Sequence, residues 1–263
     1  MPKAHVNGID IHYIERGEGT PLLAVHGFQN SHFSFTPLID WLSERFHVYA
    51  LDLRGHGDSD KPRGPYTIQT FADDVVGFLD ALGIERVDYL GHSMGGRTGT
   101  MVGIQHSERL NRLMLSASSA GPPSGAYGEM FETHLKVAET EGMEALHEFK
   151  LRRDEVPEGL REGPLAEEYR ENFLKNTPQT FADTAHALFS MPVLRDELHK
   201  ISVPTWVCHG ANDAGPIDFS AVYAEHVPDC ATSIIPDAGH SSFWDQPEAF
   251  IAEMEEFLEK TPL

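Results

Sequence analysis

Short apolar runs alternate with amphipathic segments along the first half of the chain. Runs such as Pro21–Val25 and Val48–Leu51 are almost wholly apolar, which is typical of strands buried on both faces of a parallel sheet. The segment Thr67–Leu82 instead carries its apolar residues at helical spacing and is followed by Gly83, a common helix terminator. This alternation predicts an α/β fold, in which a mostly parallel sheet has helices on both faces.

The same patterns locate the individual elements. The predicted strands are Ile9–Ile14, Pro21–Val25, Val48–Leu51, Val87–Leu90, Leu113–Leu115, Thr205–Cys208 and Ala231–Ile235. The predicted helices are Leu38–Phe46, Thr67–Leu82, Met94–Gln105, Met130–Thr140, Leu165–Asn176, Phe219–His226 and Pro247–Glu259.

The strand pattern stops after Ser119 and resumes near Thr205. Residues 121–191 contain Gly/Pro turns and helical stretches, but no run that is typical of a buried strand. We therefore predict a core domain formed by residues 1–120 and 192–263, with a helical lid inserted at residues 121–191.

The chain is strongly acidic. Its 41 Asp and Glu against 20 Lys and Arg give a net charge of −21 at pH 7. This charge argues against nucleic-acid binding and against an anionic membrane, since both partners are polyanions. Within the predicted lid, residues 129–171 hold 13 acidic and 6 basic residues, a net charge of −7, so we expect the lid to disfavour anionic substrates.

The sequence also bears on location. No apolar run approaches the ~18 residues of a membrane span, and the first residues lack the apolar stretch of a signal peptide. The two cysteines, Cys208 and Cys230, are too few for a disulfide framework and are interpreted as reduced thiols. We therefore predict a cytoplasmic protein with no membrane partner, and the choice between monomer and dimer stays open.

A candidate nucleophile lies between a predicted strand and a predicted helix. Residues Gly91–Gly95 read Gly-His-Ser-Met-Gly, and in a strand–turn–helix this pattern forces the serine into a strained turn that projects its hydroxyl outward. The flanking glycines have no Cβ that would clash in so tight a turn. Ser93 is therefore the predicted nucleophile.

Serine needs a base and an orienting acid. Where a serine occupies such a turn, the acid and then the histidine follow later in the chain. His240 lies after the last predicted strand and Asp213 after the strand before it, so we predict them as base and acid. Asp218 and Asp237 are the alternative acids: Asp218 suits a helix cap, and Asp237 lies close in sequence to His240.

An oxyanion hole is expected from two backbone amides. Phe28 directly follows a buried strand and the sequence His26-Gly27, and Met94 follows the candidate nucleophile, so both amides could point at one oxygen held by Ser93. The chain has no Gly-rich phosphate loop, no HExxH motif and no CxxC pair. We therefore predict no metal and no cofactor.

Together these motifs resemble the α/β-hydrolase superfamily nearly from end to end. Residues His26–Phe28 resemble its oxyanion segment, and residues Asp52–Ser59 resemble a turn that we interpret as structural. The resemblance implies an eight-stranded, mostly parallel sheet and places a lid at residues 121–191. It also implies a serine hydrolase, because branches that cleave alkyl halides or epoxides use Asp as the nucleophile.

The function expected is that of a carboxylesterase-like hydrolase (EC 3.1.1), acting on small to medium, largely apolar esters or lactones through an acyl-enzyme. The alternatives are a C–C bond hydrolase of the ring-cleavage-product type, a hydroxynitrile-lyase-like enzyme, and a non-catalytic binding protein of the same fold. C–C hydrolases usually have Asn before the nucleophile and an aromatic residue after the histidine, where this chain has His92 and Ser241. The residues expected to line the substrate pocket are Phe33, Phe131, Phe149, Phe189, Met191 and Phe243.

Overall fold

The computed structural model describes residues 2–213 and 218–263. The described residues form one eight-stranded sheet in the order β1-β2-β4-β3-β5-β6-β7-β8. The strands are β1 (Lys3–Val6), β2 (Ile9–Arg16), β3 (Thr20–Val25), β4 (Phe46–Leu51), β5 (Val87–His92), β6 (Leu110–Ser116), β7 (Thr205–Gly210) and β8 (Cys230–Ile235). The pairs β1–β2 and β2–β4 are antiparallel and the others are parallel. The predicted fold class is confirmed.

Helices connect these strands. They are α1 (Ile39–Ser43), α2 (Ile68–Ala81), α3 (Met94–Gln105), α4 (Gly125–Glu141), α5 (Met143–Arg152), α6 (Ala166–Leu174), α7 (Pro178–Phe189), α8 (Asp218–His226), α9 (Ser242–Asp245) and α10 (Pro247–Lys260). Within the described ranges, none of the helices has both the length and the apolar character needed to cross a membrane.

The first predicted helix is longer than the observed one. Helix α1 ends at Ser43, and Phe46 already begins β4, where it pairs with Thr20. Leu38, Leu42 and Phe46 are all buried and four residues apart, which is also the spacing of residues on one face of a helix. Here Leu42 belongs to a short helix, whereas Phe46 belongs to the following strand.

The sheet separates two apolar cores. Successive strand residues point to opposite faces, so Leu23 packs in one core with Phe71 of α2, while Leu22 packs in the other with Phe250 of α10. All four side chains are fully buried. This burial on both faces explains why the central strands have no polar alternation in sequence.

A helical insertion comprising α4–α7 separates β6 from β7. It has its own apolar cluster, which includes Leu146, Phe173 and Phe181 and also takes in Phe33 from the core. Among the hydrogen bonds that join it to the core, three pair an insertion side chain with a core backbone group. They are Asp183 Oδ2 with the Gly64 N–H (3.1 Å), Asn176 Nδ2 with the Gln29 carbonyl (3.1 Å) and His186 Nδ1 with the Tyr66 carbonyl (3.0 Å).

Candidate active site

Ser93 lies in a tight turn between β5 and α3. Its φ of 53° and ψ of −109° are values that side-chain-bearing residues rarely adopt. A Cβ on Gly95 would lie 2.0 Å from the Val25 carbonyl oxygen, and a Cβ on Gly91 would lie 2.5 Å from the Gly95 carbonyl oxygen. The turn therefore needs glycine at both positions, as the sequence pattern indicates.

The structure brings Ser93, His240 and Asp213 into one hydrogen-bonded chain. His240 Nε2 lies 3.0 Å from Ser93 Oγ, and His240 Nδ1 lies 3.0 Å from Asp213 Oδ2. The Asp213 side chain is only 4% exposed. Because a carboxylate only accepts, Nδ1 carries the proton and Nε2 is left to accept the serine proton. This is the geometry of a nucleophile, base and orienting acid.

Of the two alternative acids, Asp237 takes no part in the described contacts of His240. Asp237 is exposed and its backbone has a φ of 52°. The Asp218 residue begins α8, but its side chain lies outside what the structure describes. Asp213 is therefore the acid that the described geometry places on His240.

The segment predicted to form the oxyanion hole lies against Ser93. A Cβ built on Gly27 would lie 3.1 Å from Ser93 Cβ, so Phe28 follows a residue in close contact with the nucleophile. Met94 is the first residue of α3, where N–H groups have no acceptor within the helix. The helix dipole adds partial positive charge at the same end, which suits an anionic oxygen.

Two further side chains contact His240, and neither was predicted. The Tyr127 hydroxyl, from α4, lies 3.0 Å from His240 Nε2, and burial raises the pKa of Tyr127 to about 12. His92 Nε2 donates to the His240 carbonyl oxygen at 3.0 Å, because a carbonyl oxygen only accepts. Burial lowers the pKa of His92 to about 3 and keeps the ring neutral. His92 thus holds the backbone of the predicted base in place, and Tyr127 brings the insertion into contact with the His240 ring.

A cavity of about 500 Å³ opens over Ser93 and His240. Core and insertion both contribute to its apolar wall, which includes Phe28, Met130, Phe131, Val156, Leu160 and Trp244. Its polar wall includes His134, Lys150, Glu155 and Arg161 from the insertion. The cavity is within the size range of small-molecule sites.

Only Phe131 among the six predicted pocket residues lines this cavity, and the prediction is wrong for the other five. Four of these five pack against other aromatic rings. The distances between ring centres are 5.7 Å for Phe33 and Trp244, 6.1 Å for Phe189 and Phe131, 5.0 Å for Phe243 and His92, and 6.0 Å for Phe149 and His134. The fifth, Met191, is buried in a core cluster. Apolar spacing predicts that such residues are covered by protein, but it does not separate the wall of a cavity from the layer behind it.

The turn after β4 is a structural support beneath the site. The Asp52 carboxylate is fully buried and accepts hydrogen bonds from His12 Nδ1 and His32 Nδ1, each at 2.8 Å. Burial alone would raise the pKa of Asp52, but these hydrogen bonds outweigh it and hold the pKa well below its usual value. The three side chains bring metal-ligand atoms within 4.8 Å of one another, yet both Nδ1 atoms are used as donors to the carboxylate.

Comparison with known proteins gives one family and several activities. The family model for the alpha/beta hydrolase fold matches residues 20–247. An enol-lactonase from Burkholderia xenovorans LB400 is 30% identical, with 98% of this chain and 100% of that chain covered and a TM-score of 0.86. A thermophilic esterase from Thermogutta terrifontis is 29% identical over 99% and 98% of the two chains, with a TM-score of 0.85.

A third relative carries a different description. It is the 2-hydroxy-6-oxo-6-(2'-aminophenyl)hexa-2,4-dienoic acid hydrolase of Metapseudomonas resinovorans, which is 27% identical over 97% of this chain and 90% of its own length. Proteins similar to this chain along nearly their whole length therefore differ in the molecules on which they act, so the reaction has to be argued from the site.

Proposed function

The chain belongs to the α/β-hydrolase family, and from its site we propose that it cleaves carboxylic esters or lactones through an acyl-enzyme on Ser93. The observation that carries this proposal is the continuous chain from Ser93 Oγ through His240 to the buried carboxylate of Asp213. A serine hydroxyl is a weak nucleophile, and such a chain supplies the base that activates it. The substrate is expected to be a small molecule, because the cavity over Ser93 holds about 500 Å³.

The reaction follows from the positions of the three side chains. Ser93 Oγ attacks the substrate carbonyl while His240 Nε2 takes the hydroxyl proton, and Asp213 stabilises the imidazolium that forms. The amides of Phe28 and Met94 would hold the resulting oxyanion. His240 then gives its proton to the departing alkoxide, which leaves an ester between Ser93 and the acyl group.

The second half of the reaction reuses the same groups. His240, neutral again, takes a proton from a water molecule, and the hydroxide attacks the ester carbonyl on Ser93. Collapse of this second tetrahedral intermediate returns the proton to Ser93 Oγ and releases the carboxylic acid. In a lactone the alcohol and acyl parts stay joined, so the product is one hydroxy acid.

C–C bond hydrolysis is the second candidate, since the Metapseudomonas resinovorans relative covers nearly the whole chain. Cleavage of an ester needs only one proton delivered to a departing oxygen, which His240 supplies. Cleavage of a C–C bond also needs a proton delivered to carbon before the bond breaks. His92, which C–C hydrolases usually replace by Asn, is here engaged with the His240 carbonyl, and this favours the ester reaction.

Burst kinetics with 4-nitrophenyl esters test the proposal. Wild-type protein should release one equivalent of 4-nitrophenol per site before the steady state, because 4-nitrophenolate leaves readily and hydrolysis of the acyl-enzyme on Ser93 is then the slower step. The Ser93→Ala variant should show neither burst nor turnover. A panel of esters, lactones and vinylogous diketones then separates the two candidates, and turnover of the diketones alone would contradict the ester proposal.

A further inference from the structure

We propose that Lys150 anchors a carboxylate subsite in the cavity over Ser93, so that the substrate is an ester or lactone that itself carries a carboxylate. This inference rests on the proposed function for the bond that is cleaved. It adds the chemical class of the group that the cavity recognises.

Lys150 belongs to α5 and lines the same cavity as Ser93 and His240. Its Nζ donates to Gln29 Oε1 at 3.0 Å. Gln29 also lines the cavity and directly follows Phe28, whose amide is assigned to the oxyanion. Only the Gln29 side chain therefore separates the Lys150 ammonium from the backbone segment that would bind the substrate carbonyl.

No carboxylate of the described residues lies within ion-pair distance of Lys150. Glu155, the acidic residue whose charge acts most directly on Lys150, instead contacts His134 Nε2 at 2.6 Å and Arg153 Nε at 2.8 Å. The Lys150 Nζ also lies 5.7 Å from the ring centre of Phe173, an apolar neighbour that offers no full negative charge.

The other cation of the cavity wall is already neutralised. Arg161 donates to Asp154 Oδ1 at 2.6 Å and to the Val156 carbonyl oxygen at 2.7 Å. Of the lysine and arginine side chains in the described lining of the cavity, Lys150 is thus the one that is available to bind an anionic ligand. Removal of an ammonium from water is costly unless an anion compensates it, and a bound carboxylate would supply that compensation.

Burial lowers the pKa of Lys150 to about 8, so the side chain is mostly charged at pH 7. A carboxylate has two oxygens, and the site offers two kinds of donor to them, the Lys150 ammonium and the amide N–H groups of Gln29. A doubly charged phosphate fits less well, because Glu155 and Glu158 also line the cavity and repel each added negative charge.

This proposal reverses the expectation from the charge of −7 on residues 129–171. That sum counts residues wherever they point, whereas a bound ligand responds to the groups within a few ångströms of it. Glu129, Glu132 and Glu139, for example, are exposed on α4, where water and salt screen them.

Two substrates matched in length test the subsite. They are 4-nitrophenyl hexanoate and the mono-4-nitrophenyl ester of hexanedioic acid, which differ by a terminal carboxylate. Lys150→Met keeps the length of the stem and removes the charge, so it should lower the ratio of kcat/KM for the acid ester over the hexanoate at least tenfold, mainly through KM. Lys150→Arg should retain most of the ratio.

The control is Lys136→Met, on the exposed part of α4, which changes the net charge equally and should leave the ratio unchanged. In the wild type the ratio should also fall as the pH rises through about 8, where Lys150 loses its charge, and Lys150→Arg should abolish that fall. An equal loss on both substrates in Lys150→Met would show that Lys150 only ties α5 to Gln29, and no change in the ratio would overturn the subsite.

The same assays show separately whether the proposed ester reaction itself is wrong. If the wild type hydrolyses neither ester faster than Ser93→Ala does, the ester reaction is wrong. The subsite is then tested without turnover, by calorimetric binding of monomethyl hexanedioate and of methyl hexanoate to Ser93→Ala with and without Lys150→Met. Weaker binding of the acid alone in the double variant supports the subsite, and equal binding of the acid to both proteins refutes it.

Discussion

The backbone of Ser93 should store strain that a glycine would release. With a φ of 53° and ψ of −109°, Ser93 occupies a region in which a Cβ costs about 1–3 kcal/mol. Glycine removes that cost but adds about 0.5–1 kcal/mol of conformational entropy to the unfolded chain. The central values of the two contributions therefore leave Ser93→Gly about 1 kcal/mol more stable towards unfolding than Ser93→Ala.

The comparison of these two variants isolates the backbone, because both lack the hydroxyl and neither should hydrolyse 4-nitrophenyl esters. Urea unfolding followed by tryptophan fluorescence gives both free energies, and the expected difference corresponds to a shift in Tm on the order of 5 °C. The control is Ala252→Gly at an exposed position within α10. With ordinary helical dihedrals, glycine there should lower the stability by about 1 kcal/mol.

Glycine in place of alanine should thus raise the free energy of unfolding at position 93 and lower it at position 252. If Ser93→Gly proved no more stable than Ser93→Ala while Ala252→Gly lost the expected stability, the turn at Ser93 would not be strained. The fold would then present the Ser93 hydroxyl without the backbone strain that its φ and ψ angles indicate.

Asp213→Asn should lower kcat for a 4-nitrophenyl ester by about 10⁴-fold, since the amide favours the wrong tautomer of His240; a loss below tenfold in steady-state assays would exclude Asp213 as the orienting acid. Asp52→Asn should lower the free energy of unfolding at pH 7 by about 3–5 kcal/mol, because buried donors lose their charged acceptor. Because the folded-state pKa of Asp52 is lowered, the stability difference between wild type and Asp52→Asn should shrink as the pH falls below about 4, the pKa of an unfolded Asp. Urea unfolding of both proteins at pH 7 and pH 3 measures this difference. Tyr127→Phe should raise kcat/KM for a small neutral ester by up to roughly twofold, because the single lone pair of neutral Nε2 accepts from one hydroxyl at a time; a tenfold loss would instead place the Tyr127 hydroxyl on the reacting atoms.

The sequence was most informative where short-range geometry decides the structure. Helix α3 begins and ends at the predicted residues, because the turn around Ser93 fixes its start. The proximity of His240 to Ser93 could also be predicted, although 147 positions separate them. Both follow parallel strands, and the carboxyl ends of such strands share one edge of the sheet.

The insertion was predicted less well, because its position depends on packing rather than on local pattern. Tyr127 belongs to α4, and nothing in its neighbours distinguishes an aromatic residue that reaches a catalytic histidine from one that fills a helical core. Its place soon after β6, which ends at the edge of the site, was the available signal. Lys150 gave no signal, since a lysine in a helix of mixed charge ordinarily lies in water.

The contacts that seat the insertion use side chains from both parts of the chain. The insertion supplies Asp183 to the Gly64 N–H, and the core supplies the Asp58 carboxylate to Lys175 at 2.8 Å and the Gln29 side chain to Lys150 at 3.0 Å. The core backbone is constrained as well, since a Cβ on Gly64 would lie 2.6 Å from Asp183 Cγ. A substitution on one side of this seam therefore calls for a matching change on the other. The insertion and the catalytic scaffold are thus expected to evolve together, and an insertion transplanted from a relative would need its partner residues in the core to come with it.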